Sequence, residues 1–93
     1  MQKNVANFME EMGWQSDPNN RYIDLVSEIG ELGKEILLAT NYGKEELTLI
    51  TSPSMEDEMG DCLFSLLALC TTLDIDAENA LSASMQKYRN RNE

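Results

Sequence analysis

Two short acidic motifs share one pattern. Residues 28–31 read EIGE and residues 58–61 read EMGD, each an acid, an apolar residue, a glycine and an acid. Because residues three apart lie side by side on a helix, each motif would present two carboxylates on one face. Carboxylate oxygens are ligands of hard divalent cations, so the two pairs together predict a Mg²⁺ site, with Mn²⁺ as a substitute. The alternative is that both pairs belong to ordinary solvated helix surfaces.

The composition further limits the kinds of catalytic site and binding partner that the chain can have. The 93 residues include 17 acidic and 7 basic side chains and no histidine, for a net charge of −10. Without histidine, His-based triads, most zinc sites and Glu-x-x-His di-iron bundles are excluded. A chain this acidic is not expected to bind a nucleic-acid backbone or an anionic membrane. The remaining catalytic groups are carboxylates, Lys, Arg, Tyr and a metal that prefers oxygen.

Four hydrophobic patterns predict an all-α fold in a single domain that spans residues 1–93. The predicted helices cover residues 3–12, 18–39, 54–72 and 77–88, with a loop over about 40–53 that holds at most one short extended or helical turn. The expected helix boundaries are Gly13 after the first helix, and Asp17, Ser54 and Asp76 as N-caps of the others. The two long central helices are expected to pack antiparallel, because their connection is short.

The acidic motifs border the apolar faces of these central helices. In the second helix the apolar face consists of Tyr22, Leu25, Ile29, Leu32 and Ile36. Antiparallel packing would therefore bring four carboxylates into one cleft, namely Glu28, Glu31, Glu58 and Asp61. The glycines at positions 30 and 60 would leave room for close helix approach or for a ligand, at a cost of roughly 1 kcal/mol each in helix propensity.

The apolar composition of the third helix predicts that it contacts a partner subunit. From Cys62 to Cys70 it is apolar nearly all the way round, and a chain of this length has too few helices to cover it. A homodimer or homotetramer is therefore expected.

Both cysteines are expected to be buried reduced thiols, and the absence of a readable signal or transmembrane segment favours the cytoplasm. In the last helix, the residues expected to face inward are Ala80, Leu81, Ser84 and Tyr88.

Four segments together resemble a known family. LVSEIGELGKEI, DEMGDCLFSLLAL, DIDAENAL and KYRNR are similar to the MazG-like nucleoside triphosphate pyrophosphohydrolases, especially their compact single-domain members. The resemblance implies an all-α subunit that assembles into helical bundles. It also implies Mg²⁺-dependent cleavage of NTPs or dNTPs between the α and β phosphates, which releases NMP and pyrophosphate and serves nucleotide-pool house-cleaning. Many relatives carry another Glu where this chain has Ser27, so no role is assigned to that extra carboxylate.

The resemblance also implies roles for individual residues. Glu28, Glu31, Glu58 and Asp61 would be the metal ligands and catalytic acids, and one of them, with Glu28 as the first candidate, would also accept the proton of the attacking water. Lys87, Asn90 and Arg91 would hold phosphate oxygens, although a basic C-terminal turn also complements the helix dipole. Trp14 and Phe8 are candidates for stacking on the nucleobase, while core packing or an oligomer contact is the competing role.

Two other functions are consistent with the sequence. The first is a non-catalytic helical interaction or regulatory module that dimerises through the apolar third helix. The second is a MazG-like fold that binds nucleotide without turnover. Saturable binding of Mg²⁺ or Mn²⁺ would argue against the first, and only product analysis separates the second from an enzyme.

Overall fold

A computed structural model describes residues 1–14, 17–46 and 53–91, which form helices and no strand. The helices are α1 (Gln2–Met12), α2 (Pro18–Ala39), α3 (Pro53–Thr72) and α4 (Ala77–Arg91). The predicted all-α fold is confirmed. Residues 47–52, the second half of the predicted loop, lie outside the described residues.

The first two helix boundaries agree with the sequence signals. Gly13 adopts φ 66°, a left-handed conformation that ends α1, and the Trp14 N–H donates to the Met9 carbonyl at 3.0 Å. This is the hydrogen bond of a Schellman cap. Asp17 caps α2, because its carboxylate accepts from the Asn19 N–H at 3.0 Å and Pro18 follows as the first helical residue.

Two other boundaries differ from the prediction. The third helix begins at Pro53, so Ser54 lies inside α3 and is not its N-cap. Proline suits the first helical position because its missing N–H has no partner there. Asp76 does cap α4, through the Asn79 N–H at 3.0 Å, but α4 continues to Arg91 and does not end near residue 88.

The two long helices pack antiparallel, and α1 packs against α3. Residues on the two helices meet in opposite order: Asp24 and Ser65 line the same cleft, and Glu28 lies beside Asp61. Among residues 1–14, 17–46 and 53–91, the buried ones are few: Met9, Met55, Ser65, Leu67 and Ala68. The core of one subunit is therefore thin, as expected for a short chain.

Much of the predicted apolar surface is uncovered in one chain. Among the described residues, α4 packs along no other helix. Leu81 and Tyr88, which were expected to face inward, are 58% and 55% exposed, so that prediction is wrong for the single subunit. On α2, Tyr22, Ile29 and Ile36 are exposed as well. The helical periodicity shows which apolar residues share a face, but the described residues of one subunit do not cover these faces.

Both cysteines are free thiols, as predicted, but each is only partly buried. Within the described residues, none of the helices combines the length and hydropathy needed to cross a bilayer.

The side chain of Gln2 links α1 to the turn between α3 and α4. Its amide nitrogen donates to the Ile75 carbonyl at 2.7 Å, and its amide oxygen accepts from the Ala77 N–H at 2.7 Å. We expect Gln2→Ala to lower the free energy of unfolding by about 1–3 kcal/mol, because it leaves both backbone groups without this partner. Urea denaturation at one protein concentration measures the loss. The neighbouring exposed change Lys3→Ala is the control, and an equal midpoint for both variants would contradict the link.

Candidate active site

Three of the four predicted acids converge between α2 and α3. Glu28 on α2 and Glu58 and Asp61 on α3 each place one carboxylate oxygen within 4.8 Å of the other two. Glu28 and Glu58 are half-buried, while Asp61 is exposed. The i, i+3 spacing puts Glu58 and Asp61 on one face of α3, and antiparallel packing brings Glu28 opposite them. The arrangement offers three oxygen donors to one ion.

Glu31, the fourth predicted acid, lies at the edge of this group. Its side chain is exposed and does not join the three closest carboxylates. Its charge nevertheless contributes to raising the pKa values of both Glu28 and Glu58. Its negative charge therefore adds to the repulsion at the other three carboxylates.

The cluster is electrostatically unfavourable when no cation is bound. Desolvation is the largest cause of the raised pKa of Glu28, followed by repulsion from Asp61, Glu31, Asp24 and Asp57. The pKa of Glu58 is also raised, first by desolvation and then by Asp61 and Glu28. Both effects disfavour the ionised carboxylates, and a bound cation would favour them.

These shifts predict a pH dependence of the metal-free protein. Glu28 and Glu58 have raised pKa values in the folded state, so the folded chain binds more protons than the unfolded chain above the ordinary value of 4.5. Their contribution to stability therefore falls as pH rises through the folded-state pKa values. We expect melting curves in EDTA to show a smaller fall with pH for Glu28→Gln/Glu58→Gln than for wild type. Parallel pH profiles for the two proteins would contradict the coupling.

An open cleft of about 760 Å³ adjoins the acids. Its described lining residues are Gly13, Trp14, Asn20, Arg21, Asp24, Glu28, Asp61, Phe64 and Ser65. The volume is within the range of sites that hold small organic ligands. The acids therefore lie beside space sufficient for a nucleotide.

Trp14 lines this cleft and also packs in an aromatic cluster. Its ring meets Phe8 edge to face at 5.4 Å between centroids and Phe64 at 6.1 Å. The packing role anticipated for Trp14 and Phe8 is therefore present. Trp14 is still 43% exposed and lines the cleft, so part of its side chain can contact a ligand there.

The predicted phosphate-binding residues of α4 lie away from the acids. None of the described residues lining the cleft comes from α4. Lys87 and Arg91 instead lie over the ring of Tyr88, at 5.7 and 5.6 Å from its centroid, and Asn90 accepts a hydrogen bond from Gln86. One subunit therefore does not bring these residues to its own carboxylates, because α4 packs along neither α2 nor α3.

The sequence reasoning missed Arg21 and Asn20, which both line the cleft. The Arg21 guanidinium forms an ion pair with Asp24, with Nη2 3.0 Å from Oδ2, and its side chain is only 16% exposed. A usable signal was present in the sequence. Arg21 precedes Glu28 by seven residues, about two helical turns, so the two residues share a face of α2.

The glycines of the two motifs do not mediate close packing inside the subunit. A methyl group added at Gly30 or at Gly60 would meet no atom within 4 Å. The expectation of close helix approach is therefore wrong for one chain. Both positions border open space in the single chain.

Comparison with known proteins identifies the family of this all-α chain with paired acids. A model of the MazG nucleotide pyrophosphohydrolase domain matches residues 18–93. The Bacillus subtilis protein YpjD is 40% identical over 68 residues, which cover 72% of this chain and 60% of that protein. The chain belongs to the MazG nucleotide pyrophosphohydrolase family, whose members hydrolyse nucleotide pyrophosphate bonds.

Solved structures support the same conclusion. The YpjD crystal structure aligns with 97% of this chain and 90% of that chain, with a TM-score of 0.76 and 33% identity. A Bacillus-conserved MazG protein, a nucleotide pyrophosphohydrolase, aligns with 95% of this chain and 84% of that chain, with a TM-score of 0.75 and 31% identity. The predicted family is confirmed.

Proposed function

We propose that this protein is a Mg²⁺-dependent nucleoside triphosphate pyrophosphohydrolase. It converts an NTP or dNTP to NMP and pyrophosphate, and it removes unwanted nucleotides from the cytoplasmic pool. The observation that carries the proposal is the meeting of Glu28, Glu58 and Asp61 beside an open cleft. Membership of a nucleotide pyrophosphohydrolase family supports the reaction class.

The donor set suits a hard divalent cation. Glu28, Glu58 and Asp61 supply carboxylate oxygens at mutual distances within 4.8 Å, and Glu31 can contribute from the edge. Such donors match Mg²⁺ and Mn²⁺. When bound, Mg²⁺ neutralises the charge of the triphosphate and so favours attack at phosphorus. The raised pKa values of Glu28 and Glu58 are consistent with a site whose carboxylates require a cation.

Glu28 is proposed as the general base. Its carboxylate lies in the acidic cluster and lines the open cleft, where it could accept a proton from a water molecule directed at the substrate. The water oxygen forms a bond to the α-phosphorus, and the bond from that phosphorus to the α,β-bridging oxygen breaks. The electron pair leaves with pyrophosphate, and the water proton passes to Glu28.

Trp14 is proposed to bind the nucleobase. It lines the same cleft as Glu28 and Asp61, and Phe8 and Phe64 hold its ring edge to face. A ring fixed in this way offers an apolar surface for stacking at low entropic cost.

The protein is proposed to act as a homodimer or homotetramer. One chain exposes 7326 Å², whereas a folded monomer of this mass is expected to expose roughly 5400 Å². Its radius of gyration is 16.0 Å, against roughly 12 Å expected for a compact domain of this length. Together with the exposed apolar residues of α2, α3 and α4, the excess area supports a partner of the same chain.

Assembly with a second subunit would place the α4 residues near a bound substrate. Lys87, Asn90 and Arg91 lie away from the acids of their own subunit. We propose that they contact the triphosphate held by a neighbouring subunit. This assignment is an alternative to a role in complementing the α4 dipole.

Light scattering tests the assembly. We expect no monomer at micromolar concentration, because separation would return the apolar faces of α2, α3 and α4 to water. A dilution series followed by size-exclusion chromatography with light scattering measures the mass. A uniform species with the mass of one chain would contradict this expectation.

Product analysis tests the proposed reaction. Standard and damaged NTPs and dNTPs are incubated with the protein and Mg²⁺, and the products are separated by chromatography. Pyrophosphate and NMP from at least one substrate are expected. Orthophosphate and NDP as the sole products would mean cleavage between the β and γ phosphates and would contradict the proposal. Saturable nucleotide binding without turnover would indicate a nucleotide-binding protein that is not an enzyme.

A further inference from the structure

Arg21 supplies the positive charge within the lining of the acidic cleft. Among the described residues that form this lining, Asp24, Glu28 and Asp61 are acidic, and Arg21 is basic. A nucleotide that enters the cleft is itself an anion, so a cation inside the lining bears directly on its binding.

The position of Arg21 is not explained by stability. Its side chain is largely buried, and its Nε lies out of contact with solvent and has no acceptor among the described residues. A buried donor without an acceptor is unfavourable. Arg21 also lies near the positively polarised N-terminus of α2, where a cation is disfavoured. Asp24 pairs with the guanidinium through Nη2, at 3.0 Å from its Oδ2.

Asp24 determines the direction of the guanidinium. The ion pair, with Nη2 3.0 Å from Asp24 Oδ2, holds the guanidinium beside Asp24, and both residues line the cleft. The planar guanidinium carries five donors, a geometry that matches the oxygens of a phosphate group. Nε is buried, so the guanidinium N–H groups at the exposed tip of the side chain, which lines the cleft, are the ones proposed to donate to an oxyanion.

The order of residues along the cleft indicates which phosphate this would be. Trp14 lies three residues before Asp17, the N-cap of α2, whereas Glu28 lies in the third turn of that helix, and both line the cleft. Arg21 precedes Glu28 by about 10 Å along the helix axis, on the Trp14 side. A nucleotide with its base at Trp14 and its polyphosphate at the acids would place its α-phosphate between them.

We infer that Arg21 binds the α-phosphate of the nucleotide, the group shared by the triphosphate substrate and the monophosphate product. The inference rests on the proposed function. Arg21 would act as a substrate-binding residue that contacts the phosphate under attack, and Asp24 would act as its positioning residue.

Calorimetry with three probes tests this assignment. The probes, each with Mg²⁺, are the tightest-binding of four α,β-imido dNTP analogues, the corresponding dNMP, and pyrophosphate. We expect Arg21→Gln to weaken binding of the analogue and the dNMP by about 10- to 100-fold and to leave pyrophosphate binding within about twofold. Arg21→Lys should lose less affinity than Arg21→Gln, because lysine keeps the positive charge but lacks the paired N–H donors of the guanidinium.

Controls separate this role from a structural one. Lys34→Gln removes the same charge from an exposed position on α2 and should change none of the three affinities. Mn²⁺ affinity and the melting temperature of each Arg21 variant report on the acids and the fold. If Arg21→Gln does not fold, Arg21→Lys provides the test, with weaker binding of the analogue and dNMP but not of pyrophosphate.

The possible failures are distinguishable. Unchanged binding of the analogue and dNMP would overturn the role of Arg21 while the proposed function stands. An equal loss for pyrophosphate would overturn the assignment to the α-phosphate. A wild-type protein that neither binds these nucleotides nor releases pyrophosphate would overturn the proposed function and this inference together.

Discussion

Glu58→Gln is expected to lower pyrophosphate release by about 10²–10³-fold, the effect of removing one charge-stabilising group from an active site. The same change should raise the melting temperature of the metal-free protein. Glu58 repels Glu28 and lies within 4.8 Å of both Glu28 and Asp61, so removing its charge relieves stored repulsion. Activity and stability would then change in opposite directions at one residue.

The metal response of the same variant provides a second measurement. Wild type should gain about 2.7 kcal/mol of stability at a hundredfold excess of Mg²⁺ over its Kd, whereas Glu58→Gln should gain much less. Glu45→Gln is the matched control, since Glu45 is exposed after α2 and away from the cluster. Equal Mg²⁺ responses in wild type and Glu58→Gln, with no stabilisation of the metal-free variant, would show that these acids share no metal site.

Lys87→Ala/Arg91→Ala should lose activity by about 10²-fold or more, the effect of two missing charged contacts to phosphate. Mixing this variant with Glu58→Gln should restore activity. In a mixed dimer, intact acids of one subunit meet intact α4 cations of the other. Random pairing makes half of the dimers mixed, and each has one complete site, so we expect about a quarter of the wild-type rate.

The mixture must be assembled by refolding the two variants together. Each variant refolded alone is the control and should remain inactive. Full activity of Lys87→Ala/Arg91→Ala by itself would return these residues to the dipole role. A weak double variant that Glu58→Gln cannot complement would mean that α4 serves the site of its own subunit.

The helices of this protein are predictable because their ends carry local signals. Gly13 ends α1 through its left-handed φ, and Asp17 caps α2 through its own carboxylate. Ser54 was misassigned because Ser and Pro at adjacent positions both favour a helix start, and only the backbone shows that Pro53 begins the helix.

The candidate site was predictable to the extent that it depends on spacing. The i, i+3 pairs and the antiparallel arrangement are sufficient to bring Glu28 to Glu58 and Asp61. Arg21 was not predicted because the candidate site was defined by paired acids alone. Its helical phase nevertheless places it on the Glu28 face. The position of α4 was not predictable, because periodicity shows that Leu81 and Tyr88 are apolar on one face but not which element covers them.

Hydrolysis in isotopically labelled water tests the central claim most directly. If Glu28 directs water to the α-phosphorus, one labelled oxygen should appear in the NMP and none in pyrophosphate after a single turnover with Mg²⁺. Mass spectrometry of the two separated products gives the answer. Label in pyrophosphate or in orthophosphate would place the attack at another phosphorus and contradict the proposed function.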